Sequence, residues 1–175
     1  MMLDLSHCVE DSAHSYIVVS EKGRKAVFRN PEGARFLKIR VDNCLITDSS
    51  RKRSDFIVTK PNVGSVIIEL KGKNVTQAYE QLFATLRHDE CQDWLEKRKV
   101  LLIVCSRVPA FMASDAKFRE KCRKEGVRAK IVCDQRELRL ENLLGLQLDD
   151  AESGEMTSRK ATARAKRQEP ARKRK

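Results

Sequence analysis

Two short runs of strand-forming residues, Phe56-Ile57-Val58 and Val66-Ile67-Ile68, are separated by Lys60-Pro61-Asn62-Val63-Gly64. Pro, Asn and Gly each favour turn backbone, so the segment is expected to fold as a β-hairpin. A hairpin centred on residues 61–63 brings Asp55 back to the neighbourhood of Glu69. Strand side chains alternate between faces, so Glu69 and Lys71 point one way and Leu70 points into the core. Two carboxylates and one ammonium therefore converge at the end of an apolar hairpin.

The rest of the chain supplies a setting for that hairpin. Asn74 or Thr76 can cap a helix in which Val75, Ala78, Tyr79, Leu82, Phe83 and Leu86 follow helical spacing, to about Lys97. Gln77 and Gln81 share one face of it. Residues 100–105 are a continuous apolar strand, residues 114–124 a helix with Phe118 and Cys122 inward, and residues 128–133 a final strand after Gly126. This strand-helix-strand order implies a parallel half-sheet with a right-handed crossover. Upstream, residues 16–19, 26–28 and 36–41 read as three further strands, and residues 1–14 permit a short helix from which either Glu10 or Asp11 could lend an acid to a site. Residues 136–148 are leucine-rich and amphipathic, expected to pack on the sheet or, as the alternative, against a second copy of the chain. The expected fold class is α/β, with a mixed central sheet flanked by helices.

Two carboxylates at one place repel each other unless a cation lies between them. Mg²⁺ suits such oxygens and retains several waters. A bound divalent ion polarises a phosphoryl oxygen and acidifies a water, and Lys71 can orient that water or stabilise charge on the phosphate. Asp42 is either a turn aspartate, the preferred reading, or a supporting acid. Arg51, Lys52 and Arg53 stand just before Asp55, either as phosphate contacts or as a solvated loop.

Asp55, Glu69 and Lys71, spaced Asp-x13-Glu-x-Lys across a hairpin, resemble the PD-(D/E)XK nuclease superfamily. The resemblance covers roughly residues 36–133. It implies a restriction-endonuclease-like fold, an αβββαβ core here carrying extra amino-terminal strands. It also implies Asp55, Glu69 and the Leu70 carbonyl as ligands to Mg²⁺ or Mn²⁺, and Lys71 as the catalytic lysine. Gln77 stands where the superfamily often has a polar residue after that lysine. Ser54 replaces the proline that often precedes the aspartate. Small stand-alone members include junction resolvases and repair or defence nucleases, and members that have lost catalysis but still bind nucleic acid exist.

Charge points to the same class of partner. The chain has a net charge of +11, of which residues 151–175 carry +6 from nine basic and three acidic side chains. A basic body with a strongly basic tail suits a polyanion, with Lys73, Arg172, Lys173, Arg174 and Lys175 as further candidate nucleic-acid contacts. Residues 1–148 are expected to form the nuclease-like domain and residues 149–175 a disordered tail, since Met156 is the tail's sole large apolar residue after Leu148. No stretch approaches the roughly 20 apolar residues of a membrane span, and the first residues do not read as a secretory signal. A cytoplasmic location is expected, or a nuclear one in a eukaryote. Six scattered cysteines without a Cys-x-x-Cys pair are expected to be reduced core residues, and His88 with Cys91 lacks further ligands for zinc. The competing functions are a metal-dependent nuclease, a silent nucleic-acid-binding module of the same fold, and a basic interaction protein whose acids are coincidental.

Overall fold

A computed structural model describes residues 6–70, 75–105, 113–133 and 137–146. The hairpin forms as expected: β5 (Phe56–Lys60) pairs antiparallel with β6 (Gly64–Leu70), Ile57 opposite Ile67 and Val58 opposite Val66. Asn62 takes a positive φ of 64° in the turn, a conformation that asparagine tolerates better than most residues. Every residue of β6 is buried, which identifies it as an interior strand covered on both faces.

Around this hairpin lies a six-stranded mixed sheet in the order β1-β4-β5-β6-β7-β8. β1 (Val9–Ser12), β4 (Phe36–Arg40), β5 and β6 run antiparallel, whereas β7 (Lys99–Cys105) and β8 (Arg128–Cys133) join parallel to β6. The parallel half arises through α1 (Val75–Arg87), a four-residue α2 (Asp89–Gln92) and α3 (Ala113–Lys124), the crossovers that parallel strands require. Residues 9–12 form an edge strand rather than part of a helix. Their acids are consumed by neighbours: Glu10 pairs with Lys38 and Asp11 with Arg35. The helix after the hairpin also ends at Arg87, short of Lys97.

The second departure from expectation is a separate three-stranded sheet. β2 (Tyr16–Glu21) and β3 (Arg24–Arg29) leave the main sheet, and β9 (Glu137–Leu138) joins β3 in parallel. α4 (Leu140–Leu144) follows directly and packs on the large sheet, as expected of the leucine-rich segment.

Three layers result. On one face of the large sheet, Ile39, Ile57, Ile67, Leu101 and Ile103 pack against Leu82 and Phe83 of α1 and Phe118 and Cys122 of α3. On the other, Val58, Val66, Ile68, Leu102 and Val104 meet Ile17, Val19, Ala26 and Phe28 of the small sheet and the leucines of α4. Strand alternation feeds both cores from the same strands, which is why β6 and β7 are apolar throughout. No helix among the described residues is long and apolar enough to cross a membrane.

Candidate functional site

Asp55 sits at the entrance to β5. Its N–H donates to the Ile68 carbonyl at 3.1 Å, and its own carbonyl accepts from Val41 N–H at 3.0 Å and from Asp42 N–H at 3.4 Å. The β5–β6 register, continued by one residue, sets Asp55 opposite Glu69. The Asp55 carboxylate is further anchored by Leu70 N–H, which donates to Oδ2 at 2.6 Å. Both acids are buried, Asp55 to 8% and Glu69 to 2% relative exposure, well beyond what ordinary surface charges on a strand end would show.

The carboxylates that gather most tightly are nevertheless a different set. Oxygens of Glu21, Asp42 and Asp55 all lie within 4.8 Å of one another. They come from β2, from the loop after β4 and from the start of β5, so tertiary packing alone brings them together. Glu21 is absent from the site that the sequence suggests. Its signal is nonetheless there, since Ile17 and Val19 face inward and the alternation carries Glu21 to the same inner face, an unusual place for an acid. Asp42, expected mainly as a turn aspartate, joins the cluster.

Burial, the negative charge of Glu69 and the neighbouring Glu21 together push the Asp55 carboxyl up to about 8. It is therefore protonated at neutral pH and donates its hydrogen bond to Glu21. Burial by itself would raise Glu21 as well. The hydrogen bond from Asp55, the Lys22 ion pair and the charge of Arg40 outweigh it and hold Glu21 below the usual carboxylate range. Lys22 Nζ lies 2.9 Å from Glu21 Oε1, and that contact, with the charge of Asp42 beyond it, holds the ammonium above its ordinary value. Lys22 and Gly23 form the two-residue turn of the β2–β3 hairpin with φ of 48° and 78°, the sense of twist such hairpins prefer. The turn thus delivers an acid and a cation to the cluster side by side. Arg24, opposite Glu21 in register, has a buried Nε that makes no hydrogen bond.

The basic loop before Asp55 is braced from within. Arg51 grips Glu90 through two hydrogen bonds of 2.5 and 2.9 Å and also contacts His88 Nδ1 at 2.8 Å. That hydrogen-bonded guanidinium holds Glu90 down to about 2. Lys52 pairs with Glu80 at 2.6 Å. Arg53 donates to Asp42 Oδ1 at 2.6 Å and to the carbonyls of Asp48 and Arg51. Each of the three expected phosphate contacts therefore already has an acidic partner in the chain. The helix supports the same loop: Gln81 Nε2 donates to Arg53 O at 2.9 Å, and Ser54 N–H donates to Thr85 Oγ1 at 2.7 Å. Gln81, one turn beyond Gln77, makes the contact with this loop, while Gln77 is exposed in the first turn of α1. Lys71, Lys73, Arg172, Lys173, Arg174 and Lys175 lie outside the described residues.

The loop that carries Asp42 is also tied covalently. Cys8 and Cys44 form a disulfide with Cα atoms 5.6 Å apart, correcting the expectation that all six cysteines are reduced. β1 runs antiparallel to β4 with Val9 opposite Ile39, and that pairing brings the two cysteines together across 36 residues of sequence. Cys91, Cys105 and Cys122 are buried free thiols, as expected. Burial pushes Cys91 up to about 12 and Cys122 up to about 11, so neither is a ready thiolate. The chain matches no protein-family model, no curated protein and no solved structure.

Proposed function

We propose that this protein is a nuclease that hydrolyses phosphodiester bonds, with DNA as the substrate and Mg²⁺ or Mn²⁺ as the cofactor. The observation that carries this reading is the meeting of Glu21, Asp42 and Asp55 within 4.8 Å, with Glu69 acting on Asp55 from the neighbouring strand. The donors are all oxygens, the chemistry a hard divalent ion selects. Burial first, and then the negative charge of Glu69, raise the Asp55 carboxyl, and both penalties on its charged form are ones a bound cation would offset. Asp55 and Glu69, with the Leu70 carbonyl, are the expected holders of the ion, and Glu21 and Asp42 extend that set. When bound, the ion would supply Lewis-acid polarisation of a phosphoryl oxygen and a more acidic water.

The chain's own residues do the remaining work. Leu70 N–H fixes the orientation of Asp55, and the Asp55–Glu21 proton must leave before both acids can act as ligands. Lys22 presents an ammonium beside the cluster where a phosphate can replace its contact with Glu21. Lys71, two residues beyond Glu69, is the lysine that this reading assigns to the attacking water.

A second reading has its own support. Asp42 is held by Arg53 and Glu21 by Lys22, so two of the three acids have internal cations, as a silent module of this fold would arrange them. The two readings separate in one experiment. The full chain is incubated with linear, circular, branched and single-stranded DNA, with Mg²⁺ or with chelator, beside Asp55→Asn and Glu21→Gln. Cleavage that needs the ion and falls by at least 100-fold in Asp55→Asn is expected. Binding without cleavage would favour the silent module, and undiminished cleavage by Asp55→Asn would place the chemistry elsewhere.

A further inference from the structure

Among the described residues, the exposed large hydrophobic side chains are Tyr16 at 51% and Val18 at 41%. They are two residues apart on β2 and so occupy one face of the small sheet, the face turned away from the core that Ile17 and Val19 enter. The β2–β3 register places Arg29 opposite Tyr16, Val27 opposite Val18 and Lys25 opposite Ser20. The outer face of this sheet is thus a short track on which apolar and cationic side chains alternate, ending at the Lys22-Gly23 turn. Glu137 on β9 is the acid beside it, and its pair with Arg29 is loose at 3.5 Å with both partners half exposed. The acidic cluster lies at the turn end of this track, because Glu21 follows Ser20 on the same strand and turns to the inner face beside Asp55.

From this juxtaposition we infer that the outer face of the β2–β3 hairpin binds a single-stranded segment of nucleic acid and leads it to the carboxylates. A base stacks on the Tyr16 ring, while Lys25, Arg29 and Lys22 meet successive phosphates. An exposed aromatic on a sheet face has a use for a strand whose bases are unstacked, and much less for a closed duplex. The charge of the face selects an anionic partner over an apolar or basic one, and the exposed Tyr16 ring beside those cations favours one that carries bases. This inference rests on the nuclease reading for the direction of the strand, though its binding surface stands apart from the chemistry.

The test is equilibrium binding of fluorescein-labelled oligo(dT)20, and of its duplex with oligo(dA)20, to the full chain in chelator, where no metal-dependent cleavage interferes. Tyr16→Ala should weaken single-strand binding on the order of 10-fold, and Tyr16→Phe, which retains the stacking ring, should restore it. Lys25→Ala and Arg29→Ala should each lower the log–log salt slope by up to about 0.7. Lys124→Ala, which removes the same charge from α3 on the opposite side of the large sheet, should change neither quantity. The inference is overturned if the wild-type chain does not bind the single strand, if Lys124→Ala weakens binding as much as the hairpin variants, or if Tyr16→Ala binds like wild type. Duplex bound as tightly as single strand would also overturn it, leaving a surface that contacts phosphate alone. Parallel cleavage assays with Mg²⁺ keep the two readings apart. Hairpin-dependent binding without cleavage would sink the nuclease and keep the track. Cleavage unaffected in KM by every hairpin variant would keep the nuclease and sink the track.

Discussion

Asp55 concentrates the electrostatic cost of the site in one side chain. Its carboxyl is raised to about 8, against roughly 3.9 in an unfolded chain. Between those values the folded state binds a proton that the unfolded state does not. The contribution of this group to stability is therefore greatest below about pH 4 and is lost as pH rises toward 8. Without divalent ions, Asp55→Asn should unfold at higher urea than the wild type at pH 8, by on the order of a few kcal/mol, with the gap narrowing at pH 5. Urea titrations of both proteins at the two pH values in chelator check this. Equal pH dependence of the two proteins would show that Asp55 does not hold the proton. Added Mg²⁺ should then stabilise the wild type more than the variant, because an ion that binds only the folded state raises its stability by mass action. The same side chain marks how far single residues can be read. The hairpin spacing points to Asp55 and Glu69, and both prove buried, whereas Glu21 escapes notice because its neighbours in sequence look like a surface turn.

The elements that carry the site depend on two close attachments. Gly64 opens β6 beneath α4, and a β-carbon there would lie 2.5 Å from Leu144 Cδ1 and 2.9 Å from the Arg98 carbonyl. Gly64→Ala should therefore destabilise the fold by about 1–3 kcal/mol, read as a lower urea midpoint with an unchanged slope. The other attachment is the Cys8–Cys44 bond, which closes a loop of some 36 residues from the start of β1 to the segment bearing Asp42. The chain-entropy treatment assigns such a cross-link about 4 kcal/mol. The Cys8→Ser, Cys44→Ser double variant should lose stability of that order in chemical denaturation, and a loss below about 0.5 kcal/mol would show that the cross-link contributes little. Strands, helices and turns are largely legible from periodicity and turn residues, since these are local effects. The edge strand at residues 9–12 is not, because four residues are too few to establish a period, and its identity comes from pairing with β4.

For the whole molecule, charge is the property that most directly implies a partner. Residues 151–175 hold +6 of the +11 total, with nine basic side chains available to phosphate. Deleting them should weaken binding to DNA and reduce its salt dependence. The log–log slope should fall by about 0.9 for each duplex phosphate that the tail neutralises, or by about 0.7 on a single strand. Thermal stability should scarcely change, because Met156 is the one large apolar residue available there for a core. Fluorescence anisotropy across a salt series, with a melting curve of each protein, gives both readings. An unchanged slope with unchanged affinity would leave the tail without a part in binding. A large drop in melting temperature would show that it docks on the body.

Alternation and turn chemistry in the sequence determined the β5–β6 hairpin, the parallel crossovers and the proximity of Asp55 to Glu69, because each depends on residues adjacent in the chain or joined by a tight turn. Only the tertiary structure decided that β2 and β3 leave the large sheet and lie over it, bringing Glu21 inward, with Asp42 from the loop tied by Cys44. The separation of those residues in sequence carries no signal of their meeting. Their contact follows from which apolar faces must cover each other, and that is a property of the packed layers rather than of any one strand.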